Sequence, residues 1–266
     1  MGDAGKVYKL VPAVMELNES FIDAYESCYY LFEEDEDENN KDEMPVVVGV
    51  SKTRRWIEVE IENLLEKENW TPADVIHLLA WKMGRINHKE SKEQGEYKYI
   101  GTWSDKENEQ LKATNRSGPI EKIKLFVENV IQFKKDYKEN YGNIRGNKEE
   151  MLKQLQALKV NGIGSVYLIT VLYFVSGGEY PIFDRFAMTA LNAAQKGSKP
   201  GEKVAAKQLP DKVTGLLSEG SASVYQQFIT KLEWLCETIY GDKNCYKGKQ
   251  GRKIDRALWV YGHLFS

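Results

Sequence analysis

Residues 149–193, EEMLKQLQALKVNGIGSVYLITVLYFVSGGEYPIFDRFAMTALNA, decide the fold. Met151, Leu152, Leu155 and Leu158 recur at helical spacing, and the run stops at Val160-Asn161-Gly162-Ile163-Gly164. A second apolar run, Val166 to Val175, follows at once, so the stretch reads as two helices joined by a glycine hairpin. The second helix is expected to end at Gly177-Gly178, a C-cap signal. The chain then passes through Tyr180-Pro181-Ile182-Phe183 to Asp184, which stands where a third helix begins.

The glycines carry the first chemical reading. Two residues without Cβ, placed directly before a helix, let backbone N–H groups and the positive end of the helix dipole approach an anion. A phosphate of a DNA backbone fits that description, and Gly162 and Gly164, with Asn161 before them, are the candidate holders. Asp184 has two readings. Aspartate is a common N-cap, a role worth ~1 kcal/mol. A carboxylate can also stabilise positive charge that develops on a sugar as its bond to a base breaks, and one residue can do both.

Taken together, Leu158-x-Val160-Asn161-Gly162-Ile163-Gly164, the following helix, Gly177-Gly178 and Pro181-Ile182-Phe183-Asp184 resemble the core of the helix-hairpin-helix DNA glycosylase superfamily. The closest flavour is that of the adenine- and oxidised-guanine-type enzymes. The resemblance implies an all-α fold of two helical lobes with a cleft between them. Residues 1–45 would be an N-terminal extension and 46–266 the glycosylase-like domain. Its hairpin lobe would run from about 70 to 185, and its second lobe would combine 46–69 with 186–266. Asp184 is then the catalytic carboxylate. Asn161, Gly162, Gly164, Ser165, Lys159 and Arg185 would contact the strand, and the partner is double-stranded DNA bearing a modified base, bound by a monomer. One nucleotide would be extruded from the duplex for its base to be cut away.

The resemblance also predicts absences. Strand-cleaving members carry a lysine two residues past the second hairpin glycine; here that position is Val166, between Ser165 and Tyr167. Valine cannot form an imine, so a hydrolase without lyase activity is expected. Members with an iron–sulfur cluster use four cysteines in a compact C-terminal arrangement, whereas only Cys236 and Cys245 stand here. His77, His88 and His263 are scattered, so no zinc site, no other metal site and no cofactor are expected. A cation held jointly by hairpin carbonyls and DNA is compatible with such a hairpin.

The net charge of −3 looks wrong for a DNA-binding chain until its distribution is read. Residues 33–43, EEDEDENNKDE, hold eight acids and one lysine, which leaves the remainder at +4. That run reads as a solvated loop, with mimicry of DNA charge as the alternative. Residues 243–256 hold six basic residues and one acid, and 196–212 hold five lysines and two acids; both are candidate phosphate-facing surfaces, with solvated loops as the alternative. Three cysteines, an odd number without tight spacing, suggest a reduced cytoplasmic protein. The opening MGDAGKVYKL lacks an apolar signal core, and no run reaches the ~18 apolar residues of a membrane span.

The rest of the chain reads as further helices. They are expected over 20–32, 52–67, 72–83, from Pro119 onward, 221–240 and 252–265. Thr71-Pro72-Ala73-Asp74 carries threonine as N-cap, proline at the first helical position and an acid in the first turn. Residues 45–50, PVVVGV, suggest a short strand or lead-in, and 86–118 a long polar loop. Trp81 and Lys82, with Tyr167, are candidate walls of a pocket for a flipped base, although a tryptophan on an apolar helix face is commonly core. Two other functions fit the same sequence: a noncatalytic helix-hairpin-helix DNA-binding protein, and a regulatory helical protein using the acidic run as its contact.

Overall fold

The computed structural model describes residues 16–29, 55–82, 86–87, 98–99, 103–105, 111–113, 120–139, 148–160, 163–199, 201–207, 209 and 224–265. The acidic run 33–43, the stretch 45–50, Asn161, Gly162, Arg85 and His88 lie outside them. In chain order the elements are α1 (Glu19–Cys28), α2 (Arg55–Asn63), α3 (Pro72–Lys82), β1 (Ile86–Asn87), β2 (Lys98–Tyr99), β3 (Trp103–Asp105), β4 (Leu111–Ala113), α4 (Ile120–Glu139), α5 (Lys148–Ala157), α6 (Ser165–Val175), α7 (Arg185–Lys196), α8 (Val224–Tyr240) and α9 (Gly248–Gly262), closed by a 3-10 turn at His263–Phe265. The chain is predominantly helical, as its sequence pattern suggests. Inside the expected loop 86–118 the structure places two antiparallel ladders, Ile86 opposite Tyr99 and Trp103 opposite Ala113. Among the described residues no helix is long and apolar enough to cross a membrane.

The chain divides into two compact units, one of residues 56–182 and 209–223, the other of 1–55, 183–208 and 224–266. The division falls between Ile182 and Phe183, inside the loop leading to Asp184, where the sequence places it near 185. Residues 56–69, which the sequence groups with the second lobe, belong to the hairpin unit.

In the hairpin unit, α6 is the central helix. Nine of its eleven residues are buried, because SVYLITVLYFV is apolar on every face and has no side suited to water. α3 and α4 pack on it with Val75, Leu78, Leu79, Phe126, Val130 and Phe133. α6 ends as Gly177-Gly178 predicts. Gly177 and Gly178 take φ of 67° and 87°, the Gly178 N–H donates to the Tyr173 carbonyl at 2.7 Å, and the Gly177 N–H donates to that of Phe174 at 3.4 Å. This double closure satisfies two carbonyls that the helix would otherwise leave open. Lys134, buried on α4, donates from Nζ to the Phe174 and Val175 carbonyls at 3.4 and 3.3 Å. Burial, reinforced by the charge of Lys138, pulls its ammonium down to about 8.

α3 starts as its sequence suggests. The Thr71 N–H and hydroxyl donate to Asp74 Oδ2 at 2.7 and 2.8 Å, and the Asp74 N–H donates back to Thr71 Oγ1 at 3.4 Å. Burial alone would raise the Asp74 carboxyl, but Lys67 at 2.8 Å and the Thr71 donors hold it below its ordinary value. His77, one turn on, is buried, and desolvation lowers its ring to about 4 against the opposing pull of Asp74.

In the second unit, α9 packs between α7 and α1. Phe21, Tyr25, Tyr261 and Phe265 form a ring cluster with centroids 4.8–5.0 Å apart, a geometry that stabilises beyond burial alone. The contact with α7 depends on Gly262: a Cβ there would lie 2.0 Å from the Phe186 carbonyl oxygen, so only glycine admits the backbone of α7.

Two sequence expectations are corrected in this unit. The cysteines are not all reduced, since Cys236 on α8 is bridged to Cys245 in the loop before α9 and only Cys28 is free. The basic stretch 243–256 does not face outward as a block either. Arg252 and Arg256 are buried, Arg252 pairing with Asp255 and Arg256 with Glu26 of α1, while Lys253 pairs with Asp23. Through Lys253 and Arg256, α9 engages the acids of α1.

Candidate functional site

Asp184 is where the sequence predicts, at the N-cap of α7. Its backbone is extended, φ −134° and ψ 142°, and Oδ1 accepts the Phe186 N–H at 2.8 Å. That bond satisfies one of the open amides of the helix start and fixes the carboxylate against it. The approach is stiff: Pro181, Ile182 and Phe183 are buried, and Phe183 meets Phe228 edge-on at 5.1 Å. Asp184 itself is half-buried, a placement that limits its side chain without removing it from water.

The residues around Asp184 come from α7, α9 and the 3-10 turn that follows α9. Arg185 is exposed, with its guanidinium 4.7 Å from the centre of the Phe186 ring. The His263 imidazole stacks on the same ring at 3.7 Å with planes 19° apart, and Trp259 meets it edge-on at 6.1 Å. His263 Nδ1 lies 2.7 Å from the Trp259 carbonyl. Burial lowers the His263 ring below its ordinary value; the Trp259 carbonyl and the Asp184 charge pull it up, and Arg185 pushes it down. Sequence reading treats His263 as incidental, because a contact with a residue 77 positions away leaves no trace in local spacing.

On the hairpin unit, Gly164 is the N-cap of α6, with φ −85° and no side-chain cap. A Cβ built there meets nothing within 4 Å among the described residues. The Tyr167 and Leu168 amides turn back to the Gly164 carbonyl at 3.0 and 3.4 Å. Ser165 is buried in the first turn, and Lys159 and Tyr167 are half-buried. Asn161 and Gly162, between Val160 and Ile163, are among the residues not described.

Of the pocket candidates, Trp81 is half-buried and donates from its indole nitrogen to Glu58 Oε1 at 2.7 Å, with its ring edge-on to Phe174 at 6.0 Å. Glu58, 2% exposed, is a carboxylate that sequence reading missed; the alternation of two acids with apolar residues in WIEVEI does not tell which of Glu58 and Glu60 turns inward. Lys82 is half-buried in the last turn of α3. Exposed cations of the second unit include Arg185, Lys196, Lys199, Lys203, Lys207, Lys243 and Lys249. An open polar cavity of about 690 Å³ in the same unit is lined by residues including Glu19, Asp23, Tyr240, Lys247 and Lys253, and Asp184 is not among its walls. No group of three or more acids, histidines or cysteines suited to a metal occurs among the described residues. Comparison of the chain with protein-family models, curated proteins and solved structures returns no match.

Proposed function

We propose that this chain is a monofunctional DNA glycosylase of the helix-hairpin-helix kind, which draws a damaged or modified base out of duplex DNA and hydrolyses its N-glycosidic bond. The observation that carries the reading is the half-buried Asp184 carboxylate, fixed by the Phe186 amide at the end of a loop that follows the glycine hairpin by twenty residues. The N-terminus of α6 at Gly164 supports the DNA-binding half, because backbone amides and the helix dipole there suit a phosphate. The exposed lysines of 196–207 would add a salt-dependent attraction to the same polyanion.

The chemistry follows from charge. As the bond from C1′ to the base nitrogen breaks, electrons leave with the base and the sugar acquires oxocarbenium character. Asp184 stabilises that cation, water adds its oxygen to C1′, and its proton is released toward the departing base. With Val166 at the position where an imine-forming amine would stand, the product is an abasic site in an intact strand.

The test is single-turnover base release from duplexes carrying oxidised guanine, adenine opposite oxidised guanine, alkylated purine or a hypermodified pyrimidine, with alkali revealing abasic sites. Asp184→Asn keeps the cap, since asparagine caps as well as aspartate, and removes only the charge. A charge pair at ~4 Å in an effective dielectric of ~20 is worth ~4 kcal/mol, so release should fall ~10³-fold while DNA binding persists. If wild type and variant bind equally and neither releases a base, the noncatalytic DNA-binding reading takes its place; the N-cap bond of Asp184 is the observation that favours it.

A further inference from the structure

Phe186 links two groups near its ends. Its amide holds Asp184 Oδ1 at 2.8 Å, and its ring carries the His263 imidazole stacked at 3.7 Å. Its carbonyl lies against Gly262, the residue before His263, at a separation too small for any Cβ. His263 is therefore held by the ring stack, the backbone approach at Gly262, the Trp259 ring 4.1 Å away and the 2.7 Å contact of Nδ1 with the Trp259 carbonyl. A carbonyl only accepts, so Nδ1 carries the proton, and the neutral ring keeps its lone pair on Nε2.

We propose that His263 is a positioning residue for Asp184: its neutral ring, packed on Phe186, holds the amide that orients the carboxylate, and its protonation sets a cation beside that carboxylate and suppresses base release. The inference rests on the glycosylase reading of Asp184 and adds a control to it. Stabilising a sugar cation requires a carboxylate whose field is not already neutralised, and an imidazolium on the next side-chain layer competes for it. α7 supplies Asp184, which favours protonation, and Arg185, which opposes it. α1 brings Asp23 and Glu26 to α9, where Lys253 and Arg256 pair with them. Burial outweighs these and keeps the ring neutral at neutral pH.

Two measurements test this on the full chain. The first is NMR titration of the histidine rings, His263 being assigned by its absence in His263→Gln. The Asp184 anion favours the protonated ring, so Asp184→Asn should move the His263 midpoint to lower pH; an unmoved midpoint overturns the proposal. The second is the pH profile of single-turnover release from whichever duplex of the panel above the wild type processes. Wild type should lose activity on the acid side with the His263 midpoint. His263→Gln, which keeps a donor for the Trp259 carbonyl and cannot titrate, should lack that limb. His263→Lys should be slower at every pH by on the order of tenfold or more, with an unchanged circular dichroism spectrum. An acid limb identical in wild type and His263→Gln overturns the proposal. If no duplex is processed by any form, the enzyme reading fails and with it the suppression of release. The NMR arm then still decides whether Asp184 and His263 are coupled.

Discussion

Replacing Gly262 by alanine tests the contact on which the Asp184 neighbourhood rests. The new Cβ would lie 2.0 Å from the Phe186 oxygen, 2.5 Å from its carbonyl carbon and 3.0 Å from its Cα. Ordinary contact begins at 3.4 Å, so α7 and α9 must part by about 1.4 Å, and both sides of the clash are backbone that no rotamer change can relieve. Overpacking of this kind costs ~1–3 kcal/mol, and the absence of a side-chain escape puts Gly262→Ala at the upper end. Alanine's better helix propensity returns at most ~1 kcal/mol. The net loss of ~2 kcal/mol should lower the melting temperature by ~4–8 °C for a chain of this size. Thermal melting followed by far-UV circular dichroism reads it. Gly164→Ala is the control, because its Cβ meets nothing within 4 Å among the described residues and the lost cap is worth ~1 kcal/mol. A Gly262→Ala protein melting within ~1 °C of wild type would refute the close crossing of the two helices.

Three further outcomes follow from buried groups. His77 binds its proton less readily folded than unfolded, so its contribution to stability is complete above pH 6.5 and is lost as pH falls toward about 4. Urea unfolding should show wild type losing ~2 kcal/mol between pH 7 and pH 5 that His77→Phe does not lose. Lys134, lowered to about 8 by burial, makes folding more favourable as pH rises from about 8 toward 10.5; the stability difference between wild type and Lys134→Met should shift toward wild type between pH 7.5 and 9.5, and a constant difference would argue against the buried ammonium. Cys236→Ala/Cys245→Ala opens a loop closed over a separation of nine residues and should cost ~2–3 kcal/mol by denaturant unfolding, with reductant lowering wild type toward the variant.

What the sequence revealed was local. The start of α3 is legible because Thr71, Pro72 and Asp74 act within one turn, and the end of α6 is legible because two glycines are needed where φ turns positive. The place of Asp184 at a helix start reads out for the same reason. What was hidden depends on distant partners. A count of six basic residues in 243–256 says nothing of Glu26, which takes Arg256 inward across 230 positions. The cysteine bridge depends on how the end of α8 faces the turn after it, and an odd total gave no pairing. The Glu58 carboxylate that engages the Trp81 indole sits 23 residues upstream on another helix, a pairing that local spacing does not show.

The division of the chain has a consequence for synthesis on the ribosome. The hairpin unit is drawn almost wholly from one uninterrupted stretch, 56–182, whereas the unit bearing Asp184 is assembled from three separated segments. The Glu26–Arg256 pair closes a loop of 230 residues, and Phe186 receives its stacking partner only when His263 has been made. A nascent chain can therefore complete the hairpin unit while the Asp184 unit waits for its last helix, so long-range closure becomes the late step. Chains arrested before α9 would carry a folded hairpin unit and an aspartate without its stacked surroundings.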